Sequence, residues 1–238
     1  MESQPISLSR NSKTLQGSKV KLFSFKGVDV YSKKNHLLRK INLEISRGDF
    51  KFVTGKTGAG KTTLLNLIAD DCPGLSISGA VYREEAVQNN SIFTSRIFQD
   101  LKVFKNMTVL SNLEYCFDPN LYSRVLFEKE MHDYSRMLGI REKLGVKLSE
   151  CSGGIIQKVA VLRAILAKPD VILADEPTSS LDKASSQTVY EIFKLLNKNF
   201  STTIIWATHD RDLVRSLSGE IIHIENGKLA HQGSTCFI

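Results

Sequence analysis

Gly55-Lys56-Thr57-Gly58-Ala59-Gly60-Lys61-Thr62 has the residue types and spacing of a loop that wraps a phosphate. It follows the apolar run Phe50-Lys51-Phe52-Val53 and opens the helical stretch from Thr63 to Ile68, so its context is strand, loop, helix. Glycines let the backbone curl until successive N–H groups face one anion, and a helix start adds its dipole. Gly55, Lys56, Thr57, Gly58, Ala59, Gly60 and Thr63 then form a cradle. Lys61 reaches the β- and γ-phosphates, and Thr62 offers its hydroxyl to Mg²⁺. The ligand this predicts is a nucleoside triphosphate.

Val171-Ile172-Leu173-Ala174-Asp175-Glu176 is an apolar strand that ends in two carboxylates. In a doubly wound sheet the strand C-termini lie on the ligand side, beside such a loop. Asp175 is thereby placed to hold Mg²⁺ through water, and Glu176 to orient or deprotonate an attacking water. Ser152-Gly153-Gly154 precedes a helix with apolar Ile155, Val159, Val161, Leu162 and Leu166. Here Ser is a natural N-cap, and two glycines let backbone amides approach an anion closely.

The elements that must position these residues read as follows. Residues 1 to 20 are rich in Ser, Lys, Asn and Gln and read as a disordered basic leader. Val20 to Phe25, Val28 to Tyr31 and Ile41 to Ile45 read as strands before Arg47-Gly48-Asp49 turns the chain. From about 100 to 150 the pattern is helical, with Met131, Tyr134, Met137 and Leu138 on one face. A helix near 155–167, the strand at 171–174, a helix near 185–197 and the strand Thr203 to Ala207 alternate, which predicts a parallel sheet with right-handed crossovers. Glu220 to Ile224, the turn at Asn226-Gly227 and Lys228 to Ala230 form an antiparallel end.

A chain of 238 residues, 42% hydrophobic and 24% charged, suits one large α/β domain. No window holds the roughly 18 uninterrupted apolar residues of a membrane span. The start Met1-Glu2-Ser3-Gln4-Pro5 offers neither a secretory core nor a Gly for myristoylation, and Cys236 is misplaced for prenylation. Cys72, Cys116, Cys151 and Cys236 make no C-x-x-C pair and read as reduced structural thiols. The net charge of +7 suits a polyanionic ligand or an anionic membrane face. Asn197-Lys198-Asn199-Phe200 has Phe where a guanine-reading Asp must stand, which argues against a GTPase.

From about residue 20 onward, the order of these motifs resembles the nucleotide-binding subunits of ABC-type ATPases. In that resemblance Tyr31 matches the aromatic that stacks on adenine, and Gln99 in Phe98-Gln99-Asp100 the glutamine that meets Mg²⁺ and the membrane partner. Cys151-Ser152-Gly153-Gly154-Ile155 matches the signature, Ser180-Leu181-Asp182 the D-loop, and His209 the histidine that meets the γ-phosphate. The resemblance implies an α/β phosphate-loop NTPase with a parallel core sheet, an N-terminal antiparallel β subdomain and an α-helical subdomain near 100–160, all within one domain over 21–238. It implies ATP with Mg²⁺, a homodimer formed on ATP binding, a transmembrane partner subunit, and a peripheral position on the cytoplasmic face of the inner membrane. No nucleic-acid partner is expected: the soluble ABC ATPases that act on ribosomes or nucleic acid carry tandem cassettes or long coiled coils, absent here. Phe52-Val53-Thr54-Gly55, Phe98-Gln99-Asp100-Leu101 and Asn106-Met107-Thr108-Val109 are closest to cell-division ATPases of the FtsE type, with an FtsX-like partner. Lipoprotein-release and macrolide-export ATPases share most of these features.

The signature departs from the family at two positions. Leu is replaced by Cys151, and the usual Gln or Glu by Ile155. The S-x-x-E/Q pattern lets the fourth side chain reach back to the N-cap amide, a bond that Ile155 cannot make. The expectation is a helix start held less firmly by about 1 kcal/mol or less, and slow hydrolysis without the partner.

Overall fold

The computed structural model describes residues 20–33, 35–83 and 92–234. The expected leader lies outside the described residues up to position 19, as does Cys236. Nine strands and six α-helices follow one another among the described residues. Strands β1 (Lys21–Ser32), β2 (Asn35–Ser46) and β4 (Ser76–Arg83) form an antiparallel sheet in the order β2-β1-β4. Strands β5 (Thr94–Ile97), β6 (Val171–Asp175), β7 (Thr203–Thr208), β3 (Phe50–Thr54), β8 (Glu220–Glu225) and β9 (Lys228–Ser234) form a second sheet in that spatial order. All neighbours in it are parallel except the hairpin β8–β9.

The central strands are apolar over most of their length, Lys51 of β3 excepted, because both faces of the sheet are covered. Alternate residues face opposite layers. Phe52, Ile172, Ile204 and Trp206 pack with Val159, Leu162 and Ile165 of α4 (Gly153–Leu166) and Val189 and Phe193 of α5 (Lys183–Phe200). Their neighbours Val53, Leu173, Ile205 and Ala207 pack with Leu64, Leu65 and Ile68 of α1 (Lys61–Ala69) and with Phe25, Val30 and Ile41 of the small sheet. Trp206, fully buried, stands at the centre of an aromatic group with Phe52 and Phe193.

The structure departs from the sequence reading in three places. The two opening strands are one strand, β1, broken by a register shift between Phe25 and Val28 where Gly27 takes φ 58°. Strands β4 and β5 carry no alternation strong enough to read: β4 is mostly exposed, and β5 is four residues long with Ile97 its buried member. In α3 (Arg124–Met137) the buried face is Phe127, Met131 and Ser135, followed by Leu138 just beyond the helix, while Met137 is 43% exposed. Six residues past Met131, at about 100° each, position 137 has rotated off that face. The interval 100–150 also holds the short helix α2 (Val109–Glu114), capped by Thr108, whose hydroxyl accepts from Ser111 N.

Candidate functional site

Strands β3, β6 and β7 run parallel, so Thr54, Asp175 and Thr208 end on one side of the sheet. The loop leaving β3 turns back over these ends and enters α1 through Gly60, the N-cap, at φ 112° with no side-chain cap. The first amides of α1 are therefore open to an anion. Lys61 folds back along the loop, its Nζ donating to Gly55 O at 2.9 Å and Lys56 O at 3.3 Å. Gly55 needs to be glycine: a Cβ there would meet Ile224 O at 2.4 Å.

The Thr62 hydroxyl donates to Asp175 Oδ2 at 2.7 Å, joining the start of α1 to the end of β6. Burial raises the Asp175 carboxyl above its ordinary range, opposed by the Thr62 hydrogen bond, and the Glu176 charge raises it further. Hydroxyl and carboxylate oxygens side by side, with a carboxylate whose ionisation is disfavoured by burial, suit a hard divalent cation.

Glu176 follows in a left-handed conformation, φ 50°, which no sequence signal announces. Its carboxylate is held by the end of β7: Oε2 accepts from Thr208 Oγ1 at 3.1 Å, and Oε1 accepts from His209 N at 3.0 Å. The His209 Nδ1 lies 2.7 Å from the same Oε1. From behind, Gln157 of α4 donates to Glu176 O at 3.0 Å.

A cleft of about 550 Å³ brings these groups together. It is lined by Thr57, Gly58, Gly60, Lys61, Thr62 and Thr63 from the loop and α1, and by Gln99, Asp175, Glu176 and His209 from the strand ends. Gly55 and Ala59 are buried behind the loop, and Lys56 points out of it. Sequence reading missed six further walls: His36, Leu37, Arg39, Ser179, Asn226 and Gly227. The last two belong to the β8–β9 turn, whose sequence signals only a turn. Gly227 N donates to Ala59 O at 3.1 Å, and Arg39 N donates to Gly227 O at 2.7 Å, so the turn braces the phosphate loop. At φ 75°, Gly227 could carry a Cβ only at 2.4 Å from Leu37 O. Gly227→Ala is expected to destabilise the fold by about 2 kcal/mol, a fall in Tm of about 4–8 °C by calorimetry.

Tyr31, Ser152, Gly153, Gly154 and Asp182 do not line this cleft. The expected adenine-stacking ring of Tyr31 is stacked on His36. Ser152 occupies the N-cap of α4 but its hydroxyl makes no cap hydrogen bond, and Ile155 at the third helical position packs against the core. Asp182 caps α5, accepting from Ser185 N at 2.7 Å, and this bond holds its carboxyl below the usual range. Ile155→Glu, which supplies a carboxylate able to reach back to the Ser152 amide, is expected to raise basal ATP hydrolysis by at most about fivefold and strengthen ATP-driven dimerisation. Phosphate-release assays and gel filtration with ATP read both, and no change in either refutes the weakened signature.

Comparison with known proteins agrees with this geometry. The ABC transporter family profile matches residues 38–179, and the chain belongs to that family. The cassettes of this family are ATPases that take ATP with Mg²⁺. The methionine import ATP-binding protein MetN of Lactobacillus acidophilus is 31% identical over 222 residues, which cover 87% of this chain and 63% of that protein. The spermidine/putrescine import ATP-binding protein PotA of Fusobacterium nucleatum is 32% identical over 215 residues, covering 89% and 55%. The chain thus spans under two thirds of the length of these curated relatives. A dimeric ATP-binding cassette in a post-hydrolysis state with ADP and phosphate matches with a TM-score of 0.76 and 26% identity, over 91% of this chain and all of that one. These relatives bear import names, so they support the family and not the narrower resemblance to division ATPases.

Proposed function

We propose that the chain hydrolyses ATP in a site completed by a second copy of itself, and that the closure works a transmembrane partner. The observation that carries this reading is the division of its chemical groups. The phosphate loop, Thr62–Asp175, Glu176 and His209 share one cleft, whereas Ser152, Gly153 and Gly154 lie outside it. ATP on the loop of one copy would be covered by Ser152–Gly154 and the Asp182 loop of the other, so the ligand favours the closed pair and hydrolysis removes that preference. The cassette found as a dimer with ADP and phosphate supports this arrangement.

In this reading the loop amides and Lys61 bind the β- and γ-phosphates. Thr62 and Asp175, with Gln99 beside them, would hold Mg²⁺, which would supply positive charge to the phosphate oxygens. Glu176 takes a proton from the attacking water, and Thr208 with the His209 amide keeps its carboxylate aimed. His209, 63% exposed on its side chain, leaves Glu176 to meet the γ-phosphate.

The membrane partner would dock on the helical lobe near 100–160, where Phe104, Met107, Tyr115 and Val125 are exposed. No helix among the described residues is long and apolar enough to cross a membrane. The import names of the relatives favour a transport complex. A second reading, an FtsE-like role in cell division with an FtsX-like partner, rests on Phe98–Leu101 and Asn106–Val109. Tagged Glu176→Gln, purified in detergent with ATP from native membranes, separates them. A permease with a substrate path supports transport, a four-helix FtsX-like protein supports division, and ribosomes or DNA alone refute a membrane role.

A further inference from the structure

Arg96 lies on β5, opposite Leu173 of β6 and three residues before Gln99. A charged side chain on an edge strand commonly blunts that edge and reaches into water. The Arg96 side chain is instead 13% exposed and is held on several sides. Its Nη1 donates to Asp71 Oδ2 at 2.7 Å, and its Nη2 donates to Asn66 Oδ1. Its guanidinium carbon stands 4.5 Å from the centre of the Phe98 ring, within the range of a cation–π contact.

These partners belong to two different arms of the cleft. Asn66 is in α1 four residues after Thr62, so it lies on the same face one turn along. Asp71 N donates to Asn66 O at 3.0 Å, which joins the two acceptors to each other. Phe98 immediately precedes Gln99, and its carbonyl accepts from Leu101 N at 3.2 Å as the chain turns away from β5. The guanidinium thus spans from the helix that opens with Thr62 to the turn that carries Gln99. Asp175, the third group offered to the metal, is already joined to Thr62 by the hydroxyl bond of 2.7 Å.

We propose that Arg96 is the positioning residue of the cation site: it ties the Gln99 turn to α1 and so fixes the separation of Gln99 from Thr62. The proposal deepens the reading of Thr62, Asp175 and Gln99 as the groups that hold Mg²⁺, and it rests on that reading. Groups ordered in advance lose little freedom when the metal arrives, which preserves affinity. A lysine could not replace this residue, because its ammonium has no plane to stack and no fork to engage two acceptors in fixed geometry.

Calorimetric titration of the β,γ-imido analogue of ATP into the full chain, once with Mg²⁺ and once with EDTA, gives the gain in affinity that the metal supplies. Arg96→Met is expected to cut that gain about tenfold and leave the affinity in EDTA unchanged, the scale on which residues that orient metal ligands act. Loss of a positive charge would by itself raise the gain, so the sign of the change separates position from charge. Arg96→Lys, which keeps the charge without the fork, should lose most of the gain as well. Deuterium exchange at the Leu101 amide, without ligand, should quicken in Arg96→Met as the turn comes free. Phe98→Leu keeps both hydrogen bonds of Arg96 and should lose a smaller part of the gain, which serves as the test if Arg96→Met does not fold. An equal or larger gain in Arg96→Met or Phe98→Leu, or a full gain in Arg96→Lys, overturns the proposal. An unaltered chain that binds the analogue equally with Mg²⁺ and with EDTA would instead overturn the cation site itself, and this proposal with it.

Discussion

Glu176→Gln is expected to keep ATP bound and to lower the rate of phosphate release by about a thousandfold. The substitution preserves shape and replaces the carboxylate by an amide that cannot accept a proton from water. Its oxygen can stay in the Oε1 position, where His209 N donates, and its NH₂ can donate to Thr208 Oγ1, the partner of Oε2. The site should therefore hold its geometry while losing its general base, a loss that removes about 10²–10⁴ in rate. Bound ATP then persists in the closed pair, and gel filtration with ATP and Mg²⁺ should show a dimer. Hydrolysis at the unaltered rate would remove Glu176 from the chemistry, and a monomer under those conditions would count against the shared site.

Lys61→Ala is expected to abolish useful ATP affinity, raising Kd by about a hundredfold, equivalent to about 3 kcal/mol. Lys61 is 8% exposed and its Nζ is held by Gly55 O and Lys56 O, so the cation is already positioned when phosphate arrives. Truncation removes the charge and leaves those two loop carbonyls without that donor. A thermal-shift experiment reads the result simply: Mg²⁺-ATP should raise the melting temperature of the unaltered chain and leave that of Lys61→Ala where it was. An equal shift in both would place the triphosphate elsewhere.

The parts of this site that are legible in the sequence are those whose local backbone carries their purpose. The phosphate loop is readable because its glycines, lysine and flanking strand and helix are contiguous, and Asp175–Glu176 because an apolar strand ends there. The central strands are readable because burial on both faces leaves apolar runs, interrupted in β3 by Lys51 alone. What escapes is made by tertiary contact. Nothing local marks His36 as a cleft wall, Asn226–Gly227 as a brace, or Gln157 as a prop for Glu176, since each acts on a residue distant in the chain. The left-handed turn at Glu176 escapes for a different reason: it is imposed by the hydrogen bonds around it and not by the residue's own preference. Edge strands β4 and β5, short or exposed, lack the second buried face that makes a strand visible.

The bond from Gly227 N to Ala59 O, continued by Arg39 N to Gly227 O, gives the cradle two anchors on separate sheets. An event at the triphosphate is thereby felt as tension in a hairpin and in the small sheet. The amides of Arg39 and Gly227 become built-in strain gauges: their exchange with deuterium should slow when the cradle is filled and quicken when it empties. Filling the cradle can thus be followed at these two backbone amides, without a label on the nucleotide.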